Sequence, residues 1–124
     1  MSDDTDKTRN LVTRMYTAAA AGDLATLQQI LDPDFSVEEP NFLPYGGTYK
    51  GLQEFAALFG EVAKVIDLSK LELDGLTVEG DIAYGRVRAP LVDGSGTASI
   101  LEEWRLRDGR VAEARVFWLR DPKR

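Results

Sequence analysis

The sequence predicts an α+β fold in which helices cover one face of a curved antiparallel β-sheet. Three observations carry that reading. The first half of the chain runs helix, helix, strand, helix. After residue 66 the spacing of apolar residues changes from helical to alternating. The four alternating runs that follow are separated by short turn sequences. Helices grouped ahead of a run of strands belong on one side of the sheet. A sheet that curls around the third, long helix leaves a cone with an apolar pocket.

The elements follow in order. Residues 1–6 are polar and acidic and read as a frayed start. From Lys7, the stripe Leu11, Val12, Met15, Tyr16 and Ala19 predicts the first helix. Gly22 ends it and Asp23 caps a shorter helix carried by Leu24, Leu27, Ile30 and Leu31 up to Asp32-Pro33. A strand spans Phe35 to Glu39 and stops at Pro40. Pro40, Pro44, Gly46, Gly47 and Gly51 mark a loop over 40–51. Phe55, Leu58, Phe59, Val62, Val65 and Ile66 predict the long helix over 52–66. Strands are expected near 68–79, 82–92, 97–107 and 110–119. With no repeat or linker, residues 1–124 read as one domain.

Composition narrows the function. The chain has 124 residues, enough for one core, and a net charge of −6. That charge speaks against nucleic acid and against an anionic membrane surface as partners. No apolar run reaches membrane-span length and the N-terminus is no signal peptide, so a cytoplasmic setting is expected. There is no cysteine and no histidine. Disulfides, thiolate nucleophiles and structural zinc are thereby excluded, and proton chemistry falls to carboxylates, tyrosines, lysines, arginines or water.

Two carboxylates stand where apolar side chains are expected. Strand side chains alternate faces, so Glu39 shares a face with Phe35 and Val37. Glu102 shares one with Ala98, Ile100, Trp104 and Leu106. A carboxylate on an apolar face is costly unless it is paired, protonated or used. Glu39 reads as a general base or as a partner of Lys50. Glu102 reads as an acid or donor, or as a partner of Arg115 or Arg86. The last hairpin decides between these. A two-residue Asp108-Gly109 loop sets Glu102 opposite Arg115; a three-residue loop with a bulge at Gly109 sets it opposite Ala114 and joins apolar face to apolar face. The bulged form is expected, with Glu103 opposite Glu113.

Several stretches carry a family resemblance: Tyr16 through Ala21-Gly22-Asp23, Asp34-Phe35-Ser36-Val37-Glu38-Glu39-Pro40, Tyr45-Gly46-Gly47-Thr48-Tyr49-Lys50-Gly51, and Trp104-Arg105-Leu106-Arg107-Asp108-Gly109-Arg110-Val111. Over nearly the whole chain they resemble the SnoaL-like and ketosteroid-isomerase-like branch of the nuclear transport factor 2-like superfamily. The resemblance implies a cystatin-like α+β roll and a homodimer formed through the open sheet face. It sets Glu39 where ketosteroid isomerases keep their base, Glu102 where they keep a protonated acid, and Trp118 on a pocket wall. A base beside a carboxylic acid held neutral by an apolar site is the known arrangement of those enzymes. The isomerases' oxyanion tyrosine aligns with Met15, one residue before Tyr16, and two supporting tyrosines align with Leu31 and Phe59. Of the Asp-Arg-Asp set of the superfamily's epoxide hydrolases only Arg86 has a counterpart, since Arg88 and Val116 replace the acids. The histidines of the scytalone-dehydratase type are missing.

The resulting expectation is an enzyme that removes a proton next to a carbonyl, giving isomerisation, cyclisation or elimination. Glu39 and Glu102 are the catalytic candidates. Met15, Tyr16, Phe55, Phe59, Trp104, Val116 and Trp118 are the substrate-binding candidates. The expected ligand is a small apolar or aromatic carbonyl compound without phosphate, and no cofactor or metal is expected. The alternative is a ligand-binding or dimerisation module of the same fold without catalysis.

Overall fold

The computed structural model describes residues 2–119. Helix α1 (Ser2–Ala21) starts at Ser2, ahead of the expected Lys7, and Thr8 Oγ1 ties it to the sheet by donating to the Gly80 carbonyl at 2.6 Å. Gly22, at φ 68°, turns the chain, and the Asp23 side chain accepts from the Thr26 amide to open α2 (Leu24–Ile30). Helix α2 stops at Ile30 because Leu31 is already extended, opening β1 (Leu31–Glu39) beside Val111. The expected loop over 40–51 contains a short strand, β2 (Gly47–Lys50), held antiparallel to β1.

Helix α3 (Gly51–Val62) is shorter than its apolar pattern. Ile66 bridges to Leu91, the Val65 carbonyl accepts from Val92, and Asp67 donates to the Pro90 carbonyl. Tertiary hydrogen bonds with the end of a strand therefore outcompete further helix at 65–67. A 3₁₀ turn (Leu68–Lys70) leads into β3 (Glu72–Glu79), β4 (Ile82–Pro90), β5 (Thr97–Arg107) and β6 (Arg110–Trp118).

The six strands form one sheet in the order β2-β1-β6-β5-β4-β3. It is curved, unclosed and mixed. All neighbours are antiparallel except β1 and β6, which run parallel, so the expected all-antiparallel sheet is corrected at that one pair. The helices cover the concave face, α3 against β1 and β2 and α1 against β3 and β4. Phe35, Met15, Leu27, Ile30, Leu58 and Val12 are almost wholly enclosed between the layers. No helix among the described residues is long and apolar enough to cross a membrane.

The β5–β6 hairpin follows neither expected register. Asp108 (φ 53°) and Gly109 (φ 78°) form a two-residue loop of the left-handed kind, closed by Arg107 and Arg110. A bulge further in, where Leu106 meets Val111 but Arg105 meets Glu113, then shifts the pairing by one residue. Glu102 consequently faces Val116, and Glu103 faces Arg115. The apolar faces still meet, as the alternation required, but through a bulge in β6 beyond the turn.

Candidate functional site

Glu39 ends β1 on the concave face and is 7% exposed. Glu38 pairs with Arg115 across the parallel β1–β6 seam, which sets Glu39 beside Val116, one residue on. Glu102 lies on the other side of the same residue. The two carboxylates thus flank Val116, their backbones two strand spacings apart, roughly 10 Å. Side chains on a concave face converge, so the carboxylates lie within electrostatic reach of each other. Neither forms an ion pair among the described residues. Arg115 turns to the outer face and meets Glu38 at 3.3 Å, which removes the expected alternative of a Glu102–Arg115 pair. Lys50 is exposed and sits opposite Ser36, so it is no partner of Glu39 either.

Glu102 has a different partner. Tyr16 Oη donates to Glu102 Oε1 at 2.6 Å, and Trp104 Nε1 donates to Tyr16 Oη at 2.8 Å. An indole N–H only donates, so this chain has a fixed direction that ends on Glu102. The rings of Tyr16 and Trp104 meet edge to face at 5.7 Å. Gly85, opposite Glu102 on β4, leaves the space for the Tyr16 hydroxyl: a Cβ there would collide with it. Of the two neighbouring candidates, Met15 is sealed in the core and Tyr16 reaches the carboxylate.

Burial drives the electrostatics. The Glu39 carboxyl is pushed up to about 8, first by burial and then by the negative charge of Glu102. Glu102 is also raised by burial, and the Tyr16 hydrogen bond pulls it back. Glu102 keeps some surface in reach of water, yet protein surrounds its carboxylate on the concave side, so desolvation still dominates. Glu39 receives a second raising influence, whereas Glu102 receives a lowering one. Tyr45, in the loop before β2, is 4% exposed and its phenol is raised by burial and then by Glu39. Nothing in its loop sequence except its place between Pro44 and Gly46 signals this.

A cavity of about 310 Å³ opens beside Glu39 and is bounded by Val116, Trp118, Phe42, Pro40 and Arg115 among others. It is more mixed in character than the expected apolar cone. Of the predicted site residues, Glu39, Val116 and Trp118 line it. Glu102, Tyr16 and Trp104 form the hydrogen-bonded chain. Phe55 packs on Phe35 and Phe59, with ring centroids at 5.0 and 4.8 Å, and belongs with Met15 to the layer between α3, α1 and the sheet. Arg86 lies exposed on the outer face, its guanidinium over Gly75. Among the described residues no three acidic side chains group closely enough to hold a metal ion.

The SnoaL-like domain model matches residues 12–114, so this chain belongs to the SnoaL-like domain family, within the nuclear transport factor 2-like superfamily. Its fold is similar to that of Bal32a from a soil-derived mobile gene cassette, at 23% identity and a TM-score of 0.78, covering 94% of this chain and 92% of that one. A Kribbella flavida protein provisionally named a ketosteroid isomerase gives 18% identity and 0.76, over 95% of this chain and 82% of that one. A nuclear transport factor 2-like protein of unknown function from Burkholderia pseudomallei gives 24% and 0.73, over 94% and 92%. No curated protein matches the chain.

Proposed function

We propose that the protein is a small-molecule enzyme of the SnoaL-like type that moves a proton next to a carbonyl group by carboxylate acid–base catalysis. The observation that carries this reading is the pair Glu39 and Glu102. Both sit on the concave face around Val116, both are raised by burial, and among the described residues no cation pairs with either. Two such groups titrate as a unit, and this reading has the pair share one proton. The ionised member takes the α-proton, and the protonated member hydrogen-bonds the developing enolate oxygen.

The division of labour differs from the expected one. The chain Trp104 to Tyr16 to Glu102 favours negative charge on Glu102. Glu39 accepts no such bond among the described residues and retains the proton to about pH 8. In this assignment Glu102 is the base, oriented by Tyr16, and Glu39 is the donor at the cavity. Isomerisation, cyclisation and elimination all begin with this step, and the substrate's own leaving groups and electrophiles select among them.

The test is α-hydrogen exchange of an aryl methyl ketone in D₂O, followed by NMR. A glutamine can donate a hydrogen bond but cannot take up the proton. Glu102→Gln should therefore lower the rate by about 10²–10⁴-fold, and Glu39→Gln by less. The opposite order returns the base to Glu39. Exchange no faster with wild type than with buffer rejects catalysis and leaves the alternative, a ligand-binding or dimerisation module. That alternative draws support from exposed Phe117 and Leu119 on the outer side of the sheet.

A further inference from the structure

We infer that Trp118 Nε1 is a hydrogen-bond donor reserved for a ligand oxygen, uncovered when the Phe42 side chain moves aside. The inference rests on the carbonyl-substrate reading and adds to it a second donor for the oxygen, together with the residue that guards it. Trp118 Nε1 is the buried side-chain polar atom among the described residues that lacks any partner. Its indole can only donate, so what it lacks is an acceptor. A buried donor left unmade costs stability, and such sites call for a functional explanation. Trp104, the other tryptophan, has its N–H fully used by Tyr16.

The surroundings identify the acceptor. Trp118 forms one wall of the cavity that also holds Glu39, so a group seated there lies between the unpartnered indole and the carboxyl that keeps its proton. Two neutral donors suit one neutral or developing negative oxygen, as in a ketone passing to its enolate; Arg115, which also lines the cavity, is engaged by Glu38 at 3.3 Å. Phe42 stands edge-on to the Trp118 ring, centroids 6.1 Å apart at 89°, and is itself 57% exposed. A large apolar side chain held in water beside a cavity wall has little packing to lose by rotating. Its loop is anchored after Phe42 by buried Leu43 and Tyr45, and is closed across Phe42 by the Leu43 amide donating to the Pro40 carbonyl and beyond it by the Gly46 amide donating to that of Leu43. Phe42 can therefore swing without unfolding its loop. The ligand class that fits is a planar aryl ketone, its ring taking the place of Phe42 against Trp118 and its oxygen meeting Nε1.

The test compares 2-acetylnaphthalene with 2-isopropenylnaphthalene, which has nearly the same shape and no oxygen. Binding is followed through the indole N–H signals of ¹⁵N-labelled protein, the Trp118 signal being the one absent in Trp118→Phe. The ketone should move the Trp118 N–H downfield and the alkene should not. Trp118→Phe should weaken the ketone on the order of tenfold, the worth of one hydrogen bond, and leave the alkene unchanged. Phe42→Ala should tighten the ketone in the presence of Trp118 and not in its absence. Equal shifts with both ligands, equal loss of both in Trp118→Phe, or no binding of either overturns the inference. These are equilibrium measurements and are repeated in Glu102→Gln, so they stand apart from the exchange assay. Selective ketone binding without exchange rejects the enzyme and keeps the donor; exchange without selectivity does the reverse.

Discussion

Glu102 and Glu103 are neighbours in sequence with opposite fates. Glu102 points to the concave side, where burial raises its carboxyl. Glu103 points outward, where the hydroxyl of Tyr84 at 2.7 Å, aided by Arg105 and Arg115, holds its carboxyl below the usual range. Which face a side chain takes therefore decides the sign of its shift. Glu39 is the second concave carboxyl, and its effect on stability follows from the direction of its change. Its folded value of about 8 lies above the unfolded value, so between these the folded state holds the extra proton. Stability contributed by the protonated form is complete below the unfolded value and is lost as pH rises through that window to about 8. Glu39→Gln, which stays neutral, should be more stable than wild type at pH 9 by roughly 2–5 kcal/mol and close to it at pH 4. Urea unfolding at the two pH values measures this; a difference that does not grow with pH contradicts the burial of Glu39.

Strand β4 acts through an absence. Gly85 faces Glu102 and supplies the room in which the Tyr16 hydroxyl joins α1 to β5. The contact links elements 86 residues apart in sequence and places a carboxyl group under the first helix. Gly85→Ala should displace Tyr16, break its bonds to Glu102 and Trp104, and cost about 1–3 kcal/mol. In Tyr16→Phe the hydroxyl that meets the new methyl is already gone. The added cost of Gly85→Ala in that background should be clearly smaller, as expected for groups in contact. Thermal unfolding of the four proteins in the cycle reads this coupling. Additive losses would show that Gly85 serves the strand alone.

The whole molecule presents one concave face covered by helices and one outer face open to water. The outer face carries a polar ladder, in which Arg88 pairs with Glu72 at 2.7 Å and with Asp74 at 2.8 Å. Towards β6 it turns apolar, with Leu101, Phe117 and Leu119, and Arg115 stacks over Phe117 at 5.4 Å. An apolar patch of this kind on the sheet face suits a second copy of the chain. A homodimer through this face is the expected solution state. Light scattering at micromolar concentration should give twice the chain mass, and Phe117→Glu should halve it; a wild-type monomer ends that expectation.

Periodicity and punctuation made most of this architecture legible in advance. The stripe of α3, the Gly22-Asp23 corner and the alternation of β3 to β6 are local signals, because side-chain direction repeats with the backbone. The same alternation singled out Glu39 and Glu102, since a charge on an apolar face is visible one strand at a time. What could not be read locally depends on hydrogen bonds between distant segments. Strand β2 is four residues long and exists because β1 offers it an edge. The last turn of α3 yields to Leu91 and Val92 for the same reason. The hairpin register depends on a bulge that no turn residue announces. Above all, the placement of Tyr16 on Glu102 required both the packing of α1 on β3 and β4 and the gap at Gly85. Helical geometry sets the direction of Tyr16 relative to Met15, but only packing sets the direction of the helix relative to the strands.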